Sequence, residues 1–322
     1  MSTHSFSLRK TFAETVLELA ESDESIVVLV GDISHGIFAK FREKFPNRYF
    51  NVGILEATMA SVAAGFSMLG LKPIVHTIAP FLVERAFEQL KLDFGYQKLS
   101  AMFVSVGGAF DYSNLGCTHH SYFDLPMVGS IEGARVFSPA SASDLRILMR
   151  QALETWSGLC YFKLTENGVE DYPNAISVKI GEPVLVREGT GKLAVISLGP
   201  AFVQVRDALN RLALSPHGND VRHLHLHSFK PINFEMLNSS LIGVQHLAIV
   251  EHLASNQGLA GQVALGLEVP SNPKITGIGI AGFVRDYGTY EDLLNSSGLS
   301  AEALEQKMSL ILGNLEEPVD ES

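Results

Sequence analysis

Apolar residues near the start of the chain follow two patterns, one with helical spacing and one continuous. From Leu8 to Leu19 they recur every three or four positions, directly after Ser7, whose side chain can cap a helix. A fully apolar run over 26–30 follows, with the length of a buried strand. Continuous apolar strands that alternate with amphipathic helices are typical of a parallel sheet with helices on both faces.

The same alternation continues to the end of the chain. In the first half it predicts helices over 56–69, 81–94 and 142–155 and strands over 73–77, 101–106 and 160–164. In the second half it predicts strands over 193–199, 221–226, 247–250 and 274–280 and a helix over 302–312. We therefore predict an α/β fold with two doubly wound domains and mainly parallel sheets. The predicted domains are 1–170 and 189–322, joined by a charged linker over 171–188 that Gly and Pro interrupt.

Composition narrows the range of possible functions. The chain has 322 residues, of which 46% are hydrophobic, enough to bury a core in each of two domains. A formal net charge of −11 argues against nucleic acid and anionic membranes as partners. The first ten residues lack the apolar segment of a secretory signal, and no apolar run is long enough to cross a bilayer. Two cysteines are too few for a disulfide framework, so we predict a cytoplasmic protein.

Two segments carry candidate chemistry. Glu56 begins an otherwise small and apolar run, 53–65. An acid in this place commonly complements the helix dipole, but a desolvated carboxyl group can also exchange protons near neutral pH. The segment 107–124 is polar, rich in Gly, Asn and His, and follows a predicted parallel strand. Loops at the carboxyl ends of such strands commonly carry binding sites.

Three sequence blocks give these segments a family context. They are GILEATM at 53–59, RAFEQ at 85–89 and GCTHHSYFDL at 116–125. With them, the chain from 30 to 144 resembles the pyrimidine-binding domain of transketolases and related thiamine-diphosphate enzymes. The family versions are I-x-E-x-x-M, R-A-F/Y-D-Q and G-P-T-H-Q-x-x-x-D-L. SFKP at 228–231, VEH at 250–252 and QGL at 257–259 resemble the transketolase C-terminal domain, so the resemblance covers nearly the whole chain.

The resemblance implies roles for three cofactor-binding positions. A glutamate at the position of Glu56 hydrogen-bonds N1′ of the cofactor's aminopyrimidine and favours the tautomer that removes the thiazolium C2 proton. Phe81 matches an aromatic residue that packs against the pyrimidine, although a core phenylalanine in an amphipathic helix is the alternative. Ile78 takes a cofactor-binding position that is often a second aromatic in transketolases.

The histidine pair matches the substrate side of the family site. His119 corresponds to the substrate-facing histidine, and His120 replaces a glutamine. Either imidazole could bind substrate hydroxyl groups or move a proton near pH 7, and the alternative is an exposed, inert pair. Asp124 is expected to order the loop.

The magnesium and diphosphate signature of the superfamily, G-D-G…N, is not met. Gly31 and Asp32 are followed by Ile33, and no asparagine stands at the expected distance, so we assign no metal ligand. The resemblance therefore implies the C-terminal subunit of a split transketolase. A separate N-terminal subunit would bind Mg²⁺ and the diphosphate of a shared thiamine diphosphate, in an α2β2 heterotetramer.

Three further positions bear on the substrate. Transketolases generally keep a histidine and an arginine directed at the sugar phosphate, and here Gly107 and Glu166 take those positions. Leu115 replaces an acidic residue that contacts a substrate hydroxyl group. Because phosphate needs charge-assisted donors, we expect an atypical sugar, either unphosphorylated or with its anion bound elsewhere.

His223, His225 and His227 alternate along a predicted strand and would share one face. Such a set invites a zinc site, but neighbouring positions on one strand rarely converge on one ion. We expect a solvated or subunit-facing edge instead.

Three functions remain at this point. The leading hypothesis is transfer of a two-carbon ketol unit between sugars. The second is a 2-oxoacid decarboxylase or dehydrogenase β-subunit, or a ligase like deoxyxylulose-phosphate synthase. The third is a regulatory homologue without catalysis, against which Glu56 argues.

Overall fold

The computed structural model describes residues 6–169, 171–172, 178–189, 191–214, 220–255 and 257–316. Part of the predicted linker, 173–177, and both chain ends lie outside the described residues. The helices are α1 (Leu8–Ser22), α2 (Ala39–Lys44), α3 (Glu56–Met68), α4 (Ala79–Leu82), α5 (Phe87–Gln89), α6 (Asp124–Gly129), α7 (Ala142–Glu154), α8 (Ala201–Leu212), α9 (Phe234–Ser240), α10 (Leu259–Gly266), α11 (Tyr290–Ser296) and α12 (Ala301–Glu316). A π-helix spans Leu90–Tyr96, and 3₁₀ turns span Pro46–Arg48 and Ser113–Thr118.

The strands of the described residues form two sheets. They are β1 (Ile26–Val30), β2 (Tyr49–Asn51), β3 (Lys72–Ile78), β4 (Ala101–Val106), β5 (Arg135–Phe137), β6 (Leu159–Lys163), β7 (Val184–Arg187), β8 (Leu193–Leu198), β9 (Val221–Leu226), β10 (Ser228–Lys230), β11 (His246–Ala254) and β12 (Lys274–Ile280). One sheet has the order β10-β5-β6-β4-β3-β1-β2, and the other has the order β12-β11-β8-β9-β7.

Both sheets are mainly parallel, which confirms the predicted α/β fold. Among the strands of the described residues, only β10 in the first sheet and β7 in the second are antiparallel to a neighbour. The strands predicted over 26–30, 101–106, 221–226 and 274–280 have those bounds in the structure. Every residue of β1 and β4 is buried because these two strands lie inside the first sheet and helices cover both of its faces, whereas β12, at the edge of the second sheet, is only partly buried.

Helix α1 shows how local signals fix an element. The Ser7 side chain accepts a hydrogen bond from the backbone N–H of Arg9, as expected of an N-cap. Leu8, Phe12 and Val16 are fully buried in one hydrophobic cluster with residues of β1 and α7. The helical spacing therefore predicts both the helix and its buried face.

The continuous helix predicted over 81–94 is wrong. The segment forms α4 and α5, separated by a turn, and then the π-helix. After α4 the backbone N–H of Arg85 bonds to the carbonyl of Pro80, a wider turn than that of an α-helix. This break directs Arg85 toward α3, which matters for the site.

The two halves of the chain are joined by strands and by apolar packing. Strand β7 falls within the predicted linker, 171–188, and joins the second sheet, whereas β10 comes from the second half and joins the edge of the first sheet. One hydrophobic cluster contains residues of both sheets, among them Val136 and Leu198. The domain boundaries at 170 and 189 therefore stay a prediction. Among the described residues, no helix is long and apolar enough for a membrane span.

Candidate active site

The carboxyl ends of three adjacent strands bring the predicted site residues to one edge of the first sheet. Ile78 ends β3, Gly107 follows β4, and Glu166 lies three residues beyond β6. Strand β4 pairs in parallel with β3 and with β6. Positions far apart in sequence are therefore neighbours at the edge where α/β sheets commonly bind ligands.

Glu56 lies buried at the first residue of α3. Its side chain is 2% exposed, and Oε2 accepts a 2.8 Å hydrogen bond from Nη1 of the half-exposed Arg85. The Arg85 guanidinium also lies over the ring of Phe81, 4.4 Å from its centroid. The GILEATM and RAFEQ blocks thus meet through one ion pair, which the sequence did not predict.

The rings of Phe81, His119 and Tyr112 form a row that extends away from Glu56. Phe81, in α4, makes an edge-to-face contact with His119, with ring centroids 5.0 Å apart. His119 in turn lies 6.1 Å from the ring of Tyr112. The half-buried Phe81 therefore connects the carboxylate to the third sequence block.

The two histidines of that block have different surroundings. His119 is half-buried, and its Nδ1 lies 2.9 Å from the hydroxyl group of Thr118. His120 is buried against the rings of Phe110 and Tyr122, and neither of its nitrogens has a hydrogen-bond partner of good geometry among the described residues. Burial lowers the pKa of both imidazoles. His119 is the one that faces the aromatic row.

The backbone at Gly116 sets the shape of this loop. Its φ of 71° favours glycine, and a Cβ there would lie 2.6 Å from the ring of Tyr287. A cavity of about 520 Å³ opens beside the loop, lined by Gly116, the exposed Cys117 and residues 283–287. The second half of the chain therefore borders the site loop.

A buried ion pair anchors the end of the loop. Asp124 is fully buried, and its Oδ1 accepts a 2.8 Å bond from the Lys163 ammonium, while Oδ2 accepts a 2.6 Å bond from the Tyr161 hydroxyl group. The same ammonium donates to the carbonyl of Ser121 at 2.6 Å. Tyr161 and Lys163 share one face of the otherwise apolar β6. That alternation is the signal by which sequence reasoning could have found them.

Comparison with known proteins identifies the family. A model described as the transketolase pyrimidine binding domain matches residues 4–170, about half of the chain. The chain belongs to the transketolase pyrimidine-binding family. This confirms the resemblance read from the three sequence blocks.

Relatives of the family match nearly the whole chain. It is 31% identical, over 94% of each chain, to the "Uncharacterized 33.6 kDa protein in fasciation locus" of Rhodococcoides fascians. It is 28% identical to one of the subunits of an apulose-4-phosphate transketolase from Phocaeicola vulgatus, over 94% of this chain and 97% of that one. By contrast, it spans about half the length (48% and 47%) of the curated 1-deoxy-D-xylulose-5-phosphate synthases that it matches.

The fold matches a solved transketolase of split type. The structure described as "Split gene transketolase, inactive beta4 tetramer" superposes with a TM-score of 0.84 at 26% identity. The match covers 97% of this chain and 100% of that one. The chain therefore corresponds in extent to one subunit of a split transketolase-family enzyme.

The three positions that the sequence analysis related to the substrate lie at the same edge. Gly107 has a φ of 92°, and Leu115 is 52% exposed in the site loop. Glu166 forms an ion pair with Arg9, with 3.2 Å between Nη1 and Oε1. Arg9 therefore neutralises the charge of the Glu166 carboxylate.

The prediction of a solvated or subunit-facing edge at the three alternating histidines is wrong. His223 and His225 lie on β9, which is not an edge strand because β7 pairs beside it, and the rings of Phe202 and Tyr172 pack against their face. All three histidines are at most 1% exposed. The hydroxyl group of Ser197 lies 2.8 Å from Nε2 of His223 and 2.9 Å from Nδ1 of His225, and His227 donates to the carbonyl of Lys179. Burial lowers the pKa of His223 to about 3. Within the described parts of the chain, no group of three or more His, Cys, Asp or Glu side chains is placed to hold a metal ion.

Proposed function

We propose that the chain is the pyrimidine-binding subunit of a split transketolase, which transfers a two-carbon ketol unit between sugars. The observation that carries the proposal is the placement of Glu56, buried at the head of α3 and joined through Arg85 to Phe81 and His119. The match to split subunits over their whole length supports it.

The residues present fit one half of thiamine diphosphate. A carboxylate that is 2% exposed can hold one proton at a ring nitrogen away from competing water. The ring of Phe81 and the side chain of Ile78, both half-buried, offer apolar surface to a flat heterocycle at the same edge. When bound, the cofactor supplies the nucleophilic carbon and the electron sink for breaking the carbon–carbon bond beside a ketone.

We assign the substrate side to His119. Its imidazole is half-buried, contacts Phe81 and is tied to the Thr118 hydroxyl group, so its ring orientation is fixed. Because burial lowers its pKa, the imidazole is neutral at physiological pH and can either accept or donate a hydrogen bond to a sugar hydroxyl group. His120 is buried against the rings of Phe110 and Tyr122, and we assign it to the packing of the loop.

We propose that a partner subunit binds Mg²⁺ and the cofactor's diphosphate, and that two copies of each subunit assemble. An exposed stripe on α3 and on the two residues before it supports self-association. It repeats with helical spacing beside Glu56 and consists of small or apolar residues: Ile54, Leu55, Thr58, Ser61, Val62, Gly65, Met68 and Leu69. We assign this stripe to a second copy of the chain, since the solved relative is described as a tetramer of its own subunit.

A ligase like 1-deoxy-D-xylulose-5-phosphate synthase is the second candidate, since those enzymes match 92–94% of this chain. A donor screen separates the two. The subunit should be co-purified with its partner and given ketose donors or pyruvate, with an aldose acceptor and thiamine diphosphate. We expect turnover with ketoses and none with pyruvate, and the reverse result would assign the chain to the ligases.

A further inference from the structure

Four polar side chains lie at the end of the row of rings that is farther from Glu56. They are Arg9 at the start of α1, Ser34 after β1, Tyr112 after β4 and Glu166 after β6. Tyr112 also ends the row of rings that begins at Phe81, so this group continues the same site away from Glu56.

Arg9 is held by partners within the chain. Its Nη1 contacts Oε1 of Glu166 at 3.2 Å, and its Nη2 donates to the hydroxyl group of Ser34 at 2.7 Å. That hydroxyl group donates to Nε2 of His76 at 2.9 Å, because Nδ1 of His76 donates to the carbonyl of Val104. Burial lowers the pKa of His76 to about 4, which keeps it neutral and a good acceptor. The guanidinium is therefore fixed against a carboxylate.

Tyr112 fills the space next to Gly107. A Cβ on Gly107 would lie 2.6 Å from Cε2 of Tyr112, and the φ of 92° at Gly107 disfavours any L side chain. Tyr112 thus excludes a larger side chain at position 107. Burial raises the pKa of the Tyr112 hydroxyl group, the charge of Arg9 lowers it and that of Glu166 raises it, so the hydroxyl group stays protonated at neutral pH.

Asp111 fastens the two loops that carry Tyr112 and Glu166. Its Oδ2 accepts from the backbone N–H of Gly108 at 2.7 Å and of Glu166 at 3.0 Å. Its Oδ1 accepts from the Thr165 hydroxyl group at 3.0 Å and from Nδ2 of Asn167 at 2.8 Å. With four hydrogen bonds to one half-buried carboxyl group, the positions of Tyr112 and Glu166 are fixed relative to each other.

We propose that Arg9, Tyr112 and Glu166 form a specificity site that selects an uncharged, hydroxylated sugar end over a phosphorylated one. The inference rests on the proposed function of the site. A carboxylate beside a guanidinium offers an acceptor and a donor to neighbouring hydroxyl groups, and Tyr112 adds a further hydroxyl group. A phosphate would instead face the Glu166 carboxylate and would have to compete with it for Arg9, since phosphate binding needs free charge-assisted donors.

Kinetics of the enzyme assembled with its partner subunit test this assignment. D-xylulose and D-xylulose 5-phosphate are compared as donors for wild type, Glu166→Gln, Tyr112→Phe and the control Glu18→Gln, which removes a surface ion pair with Arg150. We expect the wild type and the control to prefer the unphosphorylated ketose in kcat/KM. Glu166→Gln should shift the ratio about tenfold or more toward the phosphate, through KM rather than kcat. Tyr112→Phe should raise KM for D-xylulose alone.

A wild-type preference for the phosphorylated donor, or an unchanged ratio in Glu166→Gln, would overturn the inference. A binding measurement keeps it separate from the proposed function. Inorganic phosphate should raise the melting temperature of purified Glu166→Gln chain but not of wild type or Glu18→Gln, even if neither ketose is turned over. Equal responses of all three proteins to phosphate would contradict the role of Glu166, whereas absent turnover alone would contradict only the proposed function.

Discussion

The buried carboxylate of Glu56 accepts a 2.8 Å hydrogen bond from the half-exposed guanidinium of Arg85. Solvent reaches the Arg85 guanidinium but not the Glu56 carboxylate, so the cation of this pair is on the solvent side. The acid is left at the edge of the sheet beside Phe81. The Glu56 carboxyl group, which can hold a proton, and the ring of Phe81 therefore lie near each other. A bound aminopyrimidine would need both.

Replacement of Glu56 by Gln should lower turnover of the assembled enzyme by about a hundredfold or more, since general acid–base groups contribute on this scale. The fold should remain intact, because Gln has the same shape and leaves no buried charge. Steady-state kinetics and circular dichroism measure the two effects. Glu88→Gln, at an exposed acid of the neighbouring RAFEQ block, is the matched control and should keep wild-type activity. Near-wild-type turnover of Glu56→Gln would remove the basis of the assignment.

Truncation of Phe81 to Ala should weaken cofactor binding about 3- to 10-fold, the range that corresponds to one aromatic contact. The change is read as a rise in the concentration of thiamine diphosphate needed for half-maximal activity. Phe81→Tyr, which keeps the ring, is the control. If Phe81→Ala and Phe81→Tyr need the same cofactor concentration, Phe81 is only a packing residue.

The Lys163–Asp124 pair should be important for stability, because its side chains are 4% and 0% exposed. Lys163→Met leaves Asp124 as a buried charge without its cation, which should lower the free energy of unfolding by about 3–5 kcal/mol. Lys72→Met breaks a pair with Asp23 whose side chains are 27% and 31% exposed, and should lower it by about 1 kcal/mol or less. Urea titration of both variants measures the difference. Equal losses would show that burial of the Lys163 pair has no special effect.

Acid should destabilise the chain through its buried neutral histidines. Burial lowers the pKa of His223 from its ordinary 6.5 to about 3, so the unfolded chain binds more protons than the folded chain between these values. Stability due to His223 is therefore complete above pH 6.5 and is lost as the pH falls, by about 1.4 kcal/mol per pH unit. His223→Gln should reduce the slope of unfolding free energy against pH by that amount between pH 6 and 4. Subtracting the variant from the wild type cancels the opposite contributions of Asp111 and Glu251, whose pKa values burial raises. Parallel slopes would show that His223 is already protonated in the folded chain.

The sequence predicted those parts of the fold that depend on local pattern. Strands such as 26–30 and 101–106 could be bounded because continuous apolar runs of this length suit strands that are buried on both faces of a parallel sheet. The helix over 81–94 could not be corrected from its apolar spacing, because the turn at Arg85 depends on a hydrogen bond to Pro80 and a contact with Glu56. Short edge strands such as β2 and β10 carry too few residues to show a period.

Site residues that belong to a sequence motif could be predicted from the sequence. Site residues whose role depends on contacts between distant parts of the chain could not. Glu56 and His119 stand in recognisable blocks. The importance of Arg9 and Tyr112 became visible only when the strand ends brought them to Glu166 and Gly107. The three alternating histidines were misread because a sequence shows that they share a face but not that Phe202 and Tyr172 pack against it.

Reconstitution tests whether this chain supplies only the pyrimidine end of the cofactor site. Ketol transfer should be measured with thiamine diphosphate and Mg²⁺ while the purified chain is titrated with its partner subunit. We expect no turnover from either subunit alone and a rise that saturates at equal amounts of the two. Full thiamine-dependent turnover by the isolated chain would contradict the division of the cofactor site between two subunits.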